Sequence, residues 1–157
     1  MIAIGSGRRS LPMVLLLGFV AGALAVFTFH QITIWLLTLA GGGQGNVYSV
    51  RPVAPLGVPQ ILNQAFWGGL WGCVFALIAD RFPRSWPLWL AGFVFGAICP
   101  TLVGWFVVAP LKDQPIAQGF NPARMWRGPI INGMWGLGTA VFYDLLRRWM
   151  PGRTRWA

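Results

Sequence analysis

Four long apolar stretches, joined by short loops and readable as two copies of one helix hairpin, constrain this chain more than any other feature. They run from about Leu11 to Leu39, Ile61 to Ala79, Trp86 to Leu111 and Pro129 to Leu146. A helix needs ~20 residues to cross a hydrocarbon core of ~30 Å, so each stretch suits one crossing. A chain of 157 residues then has room for four crossings and for no soluble domain. Composition agrees, because 56% of the residues are apolar and 10% charged, with a mean hydropathy of +0.62, whereas soluble domains are about one quarter charged. The expected fold is all-α, a single four-helix transmembrane domain over residues 1–157.

The repeat shows in two places. The segment GFVAGAL, Gly18 to Leu24, returns as GFVFGAI, Gly92 to Ile98, and GGLWG, Gly68 to Gly72, returns as NGMWG, Asn132 to Gly136. A spacing-four row of Gly68, Gly72, Ala76 and Asp80 is matched by Asn132, Gly136, Ala140 and Asp144. Spans one and three run the same way, as do two and four, so the body plan is a parallel duplication, two helices plus two. Lipid tails are as apolar as Leu, so helices in a membrane pack through close backbone approach at small residues. Gly18 and Gly22, Gly68 and Gly72, Gly92, Gly96 and Gly104, and Gly136 are therefore the expected packing positions. Pro100, within the third row, is expected to kink its helix because it lacks an N–H and clashes with the carbonyl one turn back.

Lys and Arg are retained on the cytoplasmic side of a membrane. With both termini inside, the inner segments hold Arg8, Arg9, Arg81, Arg84, Arg147, Arg148, Arg153 and Arg155, and the outer loops Arg51, Lys112, Arg124 and Arg127, together the 12 Lys and Arg. That bias predicts both termini in the cytoplasm. The net charge of +9 brackets the spans instead of forming a basic face interleaved with stacking aromatics, so it reads as topology and contact with anionic lipid, not nucleic acid. Arg8 and Arg9 before an apolar run and Ala23-Leu24-Ala25 resemble a cleaved signal peptide. The run continues through Val26 to Phe29, however, so the first span is expected to stay.

Polar residues in a span are costly and face the bundle or water. His30 is the single histidine; measured along helices it falls with Gln31, Thr33, Asn63, Gln64 and Asn132 in the outer part of the bilayer. These could form one layer, either as interhelical hydrogen bonds or as a pocket for a small polar ligand or headgroup. His30 could also ligate haem or bacteriochlorophyll, with ten Trp and eleven Phe to wall a ring, although one chain lacks the two histidines of a typical electron-transfer haem. If their helices continue that far, Asp80 pairs with Arg84, and Asp144 with Arg147 or Arg148, at helical spacing. Cys73 and Cys99 lie mid-span without a CxxC motif and read as packing residues. Trp86, Trp89, Trp105, Trp126 and Trp149 fall near span ends, where indoles favour the interface, and Trp67, Trp71 and Trp135 flank the glycine rows, facing lipid or a partner. There is no nucleophile, base and orienter set, no phosphate loop and no metal cluster, so no enzyme, metal or resident cofactor is expected.

A helix ending in Ala79-Asp80-Arg81-Phe82-Pro83, a Gly-rich third span leading into Ala109-Pro110-Leu111, and a Gly-Trp fourth span ending in Arg147-Arg148 resemble the small inner-membrane proteins of the YagU type over Phe66 to Arg148. That resemblance implies a multi-pass protein of the bacterial inner membrane. The family tends to carry a His before its Phe-Pro turn and another in its last span; Asn63 and Asn132 stand in the corresponding regions here. The expected function is a non-catalytic accessory subunit within a larger respiratory or photosynthetic membrane complex. The alternatives are a homo-oligomeric transporter or channel for ions or small molecules, and a tetrapyrrole-binding membrane protein using His30.

Overall fold

The computed structural model describes residues 9–42 and 45–150; Arg8, Arg153 and Arg155 of the topology count lie outside the described residues. Four long helices make up the body: α1 (Leu11–Leu39), α2 (Gln60–Arg81), α3 (Leu88–Leu111) and α4 (Arg127–Trp149). The first three, of 29, 22 and 24 residues, are long and apolar enough to cross a membrane. α4 has 23 residues, about 35 Å at 1.5 Å per residue, and carries Arg127, Asp144, Arg147 and Arg148 towards its ends.

Local chemistry sets the helix limits. α3 begins at Leu88 and not at Trp86, because Pro87 is extended and its carbonyl receives the N–H groups of Leu90 and Ala91. α2 tightens into a 3₁₀ turn at Ala79–Arg81 and stops at Phe82, which is extended before Pro83, as residues preceding proline are. α1 and α3 each contain a widened π turn, at Val26–His30 and Gly104–Val108. α3 remains α-helical on both sides of Pro100, which itself has no N–H to donate, and its π turn lies downstream. There the Ala109 N–H reaches back five residues to the Gly104 carbonyl, and Pro110, which has no N–H, follows. A two-residue ribbon pairs β1 (Pro52–Val53) with β2 (Val58–Pro59) in the loop after α1.

α1 packs antiparallel on α2, and α3 antiparallel on α4. A Cβ on Gly18 would stand 2.6 Å from the Gly72 carbonyl oxygen and 2.7 Å from the Ala76 Cβ, and one on Gly22 would strike the Gly68 carbonyl. In the other pair a Cβ on Gly92 would meet the Gly136 carbonyl and stand 2.6 Å from the Ala140 Cβ, and one on Gly96 would strike the Asn132 carbonyl. Phe19 covers Gly69 as Phe93 covers Gly133. Gly104 departs from the expectation for its row. It sits in the π turn with nothing within 4 Å of its Cβ position.

The two pairs join along α1 and α4. The Trp135 indole donates to the Gly22 carbonyl at 3.0 Å, and Phe29 lies on Gly138 and edge-on to Phe142. Phe75 binds α2 into this core through Phe95 and Tyr143. Small residues fill much of the interior, with Ala21, Ala25, Ala65, Ala76, Ala91 and Ala140 buried, while Leu16, Trp35, Phe66, Trp67, Trp89 and Phe106 are about half exposed. In water that arrangement would be unfavourable by ~25 cal/mol per Å² of apolar surface left wet. In lipid it costs nothing.

Candidate functional site

Two polar nodes form inside the bundle instead of one layer. The larger is built on the π turn of α1. Gln31, 1% exposed, donates through its amide nitrogen to Gln64 Oε1 of α2 at 3.2 Å and lies 3.2 Å from His30 Nδ1. Its amide oxygen accepts the Tyr48 N–H at 2.8 Å. The Tyr48 hydroxyl returns to the Phe27 carbonyl at 2.6 Å, a group inside the turn where regular four-residue pairing is interrupted. Tyr48 adopts this position with a φ of 51°, a left-handed conformation uncommon for a non-glycine residue. The loop is therefore clamped at two points, and the Gln31 amide links α1, α2 and the connector between them.

The smaller node lies between α3 and α4, where the Asn132 amide donates to Thr101 Oγ1 at 2.9 Å. Asn132 is thus separate from His30, Gln31 and Gln64. Asn63 is half buried and makes no hydrogen bond among the described residues. Thr33 donates to the Phe29 carbonyl of its own helix, as Thr139 does to that of Trp135. Tyr48 and Thr101 were not legible as members of these nodes, because one sits in a loop and the other is a lone hydroxyl in an apolar span.

At the opposite end of the bundle lie the carboxylates. Asp144 takes Arg147 at 2.6 Å on one oxygen and Arg148 at 2.6 Å on the other. Asp80 and Arg84 form no ion pair, since α2 has ended at Phe82 and the four-residue spacing no longer brings them onto one face. Arg81 turns back instead to the Leu77 carbonyl, and Arg9 donates to the carbonyls of Arg147 and Met150. Both are guanidinium groups covering the carbonyls at helix C-termini, where the macrodipole favours positive charge.

Trp135 is buried at the α1/α4 contact and faces neither lipid nor a partner, whereas Trp67 is 56% exposed. Cys73 donates to the Leu15 carbonyl and Cys99 joins the edge of the core. The described residues hold no group of three or more His, Cys, Asp or Glu able to bind a metal. Comparison with protein-family models, curated proteins and solved structures finds no match for this chain.

Proposed function

We propose that the chain is a non-catalytic membrane subunit that crosses a bacterial inner membrane four times as a duplicated helix hairpin, both ends cytoplasmic, and packs within a larger respiratory or photosynthetic complex. The observation that carries this is the use of the buried polar groups. Gln31, Thr33, Thr101 and Thr139 are the buried polar side chains among the described residues, and each is committed to a hydrogen bond within the bundle. A transport path needs polar groups that exchange partners with a passing solute. Here Gln31 and Thr101 join one helix to another, and Thr33 and Thr139 are taken up within their own helices.

The fourth crossing is supported by the grip on α4. Gly92 and Gly96 of α3 hold it on one side, Trp135 ties it to α1 on another, and its charges gather near its ends. The duplication is supported by the matching contacts Gly18 to Gly72 and Ala76, and Gly92 to Gly136 and Ala140. The YagU-type resemblance supports the membrane assigned. Half-exposed Trp35, Phe66, Trp67 and Phe106 offer an apolar surface on which further helices can pack.

Gentle detergent extraction of a tagged chain from its native membrane tests the proposal. Co-purification with unrelated membrane subunits in fixed ratio is expected. A lone monodisperse homo-oligomer that carries a solute flux in proteoliposomes, abolished by His30→Ala or Asn132→Ala, would overturn it in favour of a transporter.

A further inference from the structure

The contacts of Gln31 fix where its neighbour keeps a proton. The Gln31 amide oxygen accepts the Tyr48 N–H at 2.8 Å, and a main-chain N–H can only donate, so this contact distinguishes the two ends of the amide. The nitrogen end then faces Gln64 Oε1 and His30 Nδ1, both at 3.2 Å, one for each of its N–H bonds. An amide nitrogen cannot accept. His30 Nδ1 is therefore the bare, accepting nitrogen, and the neutral ring carries its proton on Nε2. Haem or bacteriochlorophyll held through Nε2 would need the reverse tautomer, which sets the Nδ1 proton against the Gln31 N–H.

The same opposition arises when the ring takes a second proton. Nδ1 is the one place for it, and two donors would then stand 3.2 Å apart. An imidazolium gains a charge-assisted hydrogen bond when an oxygen turns to it, and the oxygen of the same amide is the one that holds Tyr48. Turning the amide over takes that oxygen from the Tyr48 N–H and sets the nitrogen against it. Tyr48 is held there at a φ of 51°, a conformation that persists only while its surroundings over-determine it.

We propose that His30 is a proton-sensitive latch on the connector between α1 and α2. Neutral, it accepts from the Gln31 amide and leaves the amide oxygen to Tyr48. Protonated, it draws that oxygen to itself and loosens residues 45–50. The elements packed on this part of α1 carry Tyr48 and Arg51 in the connector, Arg127 in the first turn of α4, and no titratable side chain from Gln60 to Phe66 of α2. The Tyr48 hydroxyl is occupied by the Phe27 carbonyl, and the arginines stay charged throughout. Asp80 and Asp144 lie at the opposite end of the bundle, and Asp113 in the loop after α3. The latch uses contacts within the node and stands apart from the subunit reading.

The chain has a single histidine, so isotope-labelled histidine reports on this ring alone in a full chain purified without a polyhistidine tag. At neutral pH the ring nitrogen resonances should show Nδ1 unprotonated; an Nδ1–H tautomer overturns the assignment. Hydrogen exchange over residues 45–50, expressed as protection relative to the intrinsic rate, is followed on the same sample as the pH is lowered. Protection should hold while the ring is neutral and fall about tenfold, the effect of losing one or two buried hydrogen bonds, with the midpoint of the ring's titration. Constant protection through that midpoint means that the ring swings clear of Gln31, and overturns the latch. A ring that stays neutral until the helices unfold overturns it too. His30→Gln, which keeps an acceptor and cannot titrate, should retain the protection and lose its pH dependence, and Gln31→Met should show low protection at every pH. An unchanged pH response in His30→Gln assigns the effect to another group and overturns the proposal.

Discussion

In α1/α2 the helix grip is all glycine and alanine, Gly18 and Gly22 against Gly68, Gly72 and Ala76. In α3/α4 one of these places is taken by Asn132, whose main-chain carbonyl meets Gly96 as that of Gly68 meets Gly22. The contact thus demands a missing Cβ on one helix and only a carbonyl on the other. What forbids a side chain at Gly68 is a third helix and its own partner: a Cβ there would stand 2.5 Å from Val26 Cγ2 and 3.1 Å from the Trp135 indole nitrogen. At Asn132 a side chain is accommodated, and its amide reaches Thr101. The pairs share a backbone contact and differ in what surrounds it.

The largest effect follows from breaking that contact. Gly22→Val and Gly96→Val each press a branched side chain against a carbonyl that cannot retreat, and each should lose about 3 kcal/mol, the upper end for overpacking, in thermal unfolding of the detergent-solubilised chain. Gly68→Asn should approach that loss while Asn132→Gly costs little beyond one hydrogen bond. If Gly68→Asn is tolerated as well as Asn132, the account of the asymmetry through Trp135 is wrong.

The glycine and alanine rows were legible because small residues at spacing four have one dominant use in lipid. The contacts Gly18, Gly22, Gly92 and Gly96 make are local to each hairpin, so spacing alone locates them. The polar nodes were legible as residues and not as partners. Distance along a helix puts His30, Gln31, Gln64 and Asn132 at comparable depth, but rotation about each axis decides who meets whom, and Asn132 turns to Thr101. Tyr48 was out of reach for another reason. Its place depends on a left-handed residue in a loop whose path apolar periodicity does not encode. Asp80 failed to pair because Phe82-Pro83 ends the helix first, a stop signal present in the sequence that outweighs the i, i+4 spacing.

The nodes give the next effect. Gln31→Met keeps length and volume but strips Gln64 and the Tyr48 N–H of their partner, so a loss of about 1 to 2 kcal/mol is expected, within the range for abandoned buried groups. Hydrogen exchange over residues 45–50 should rise in the same variant as the connector is released. Thr101→Val removes a single interhelical bond in the other pair and should cost about 0.6 kcal/mol, the mean for such bonds in a membrane. Equal losses would show that the first node is no more than one bond deep and that its loop clamp does not contribute.

The smallest effect separates the two carboxylates that close the matched rows. Asp144→Asn gives up contacts at i+3 and i+4, each worth about 0.3 to 0.5 kcal/mol on a partly exposed helix, so the loss should stay at or below about 1 kcal/mol. It should shrink further in high salt, as screened pairs do. Asp80→Asn removes no ion pair and should fall within about 0.5 kcal/mol of the unaltered chain, with no salt dependence. Equivalent positions in the two rows would then differ in energy for a traceable reason. α4 runs on for a full turn past Asp144 and supplies its own arginines, whereas α2 stops beyond Asp80 and leaves that carboxylate without an ion pair.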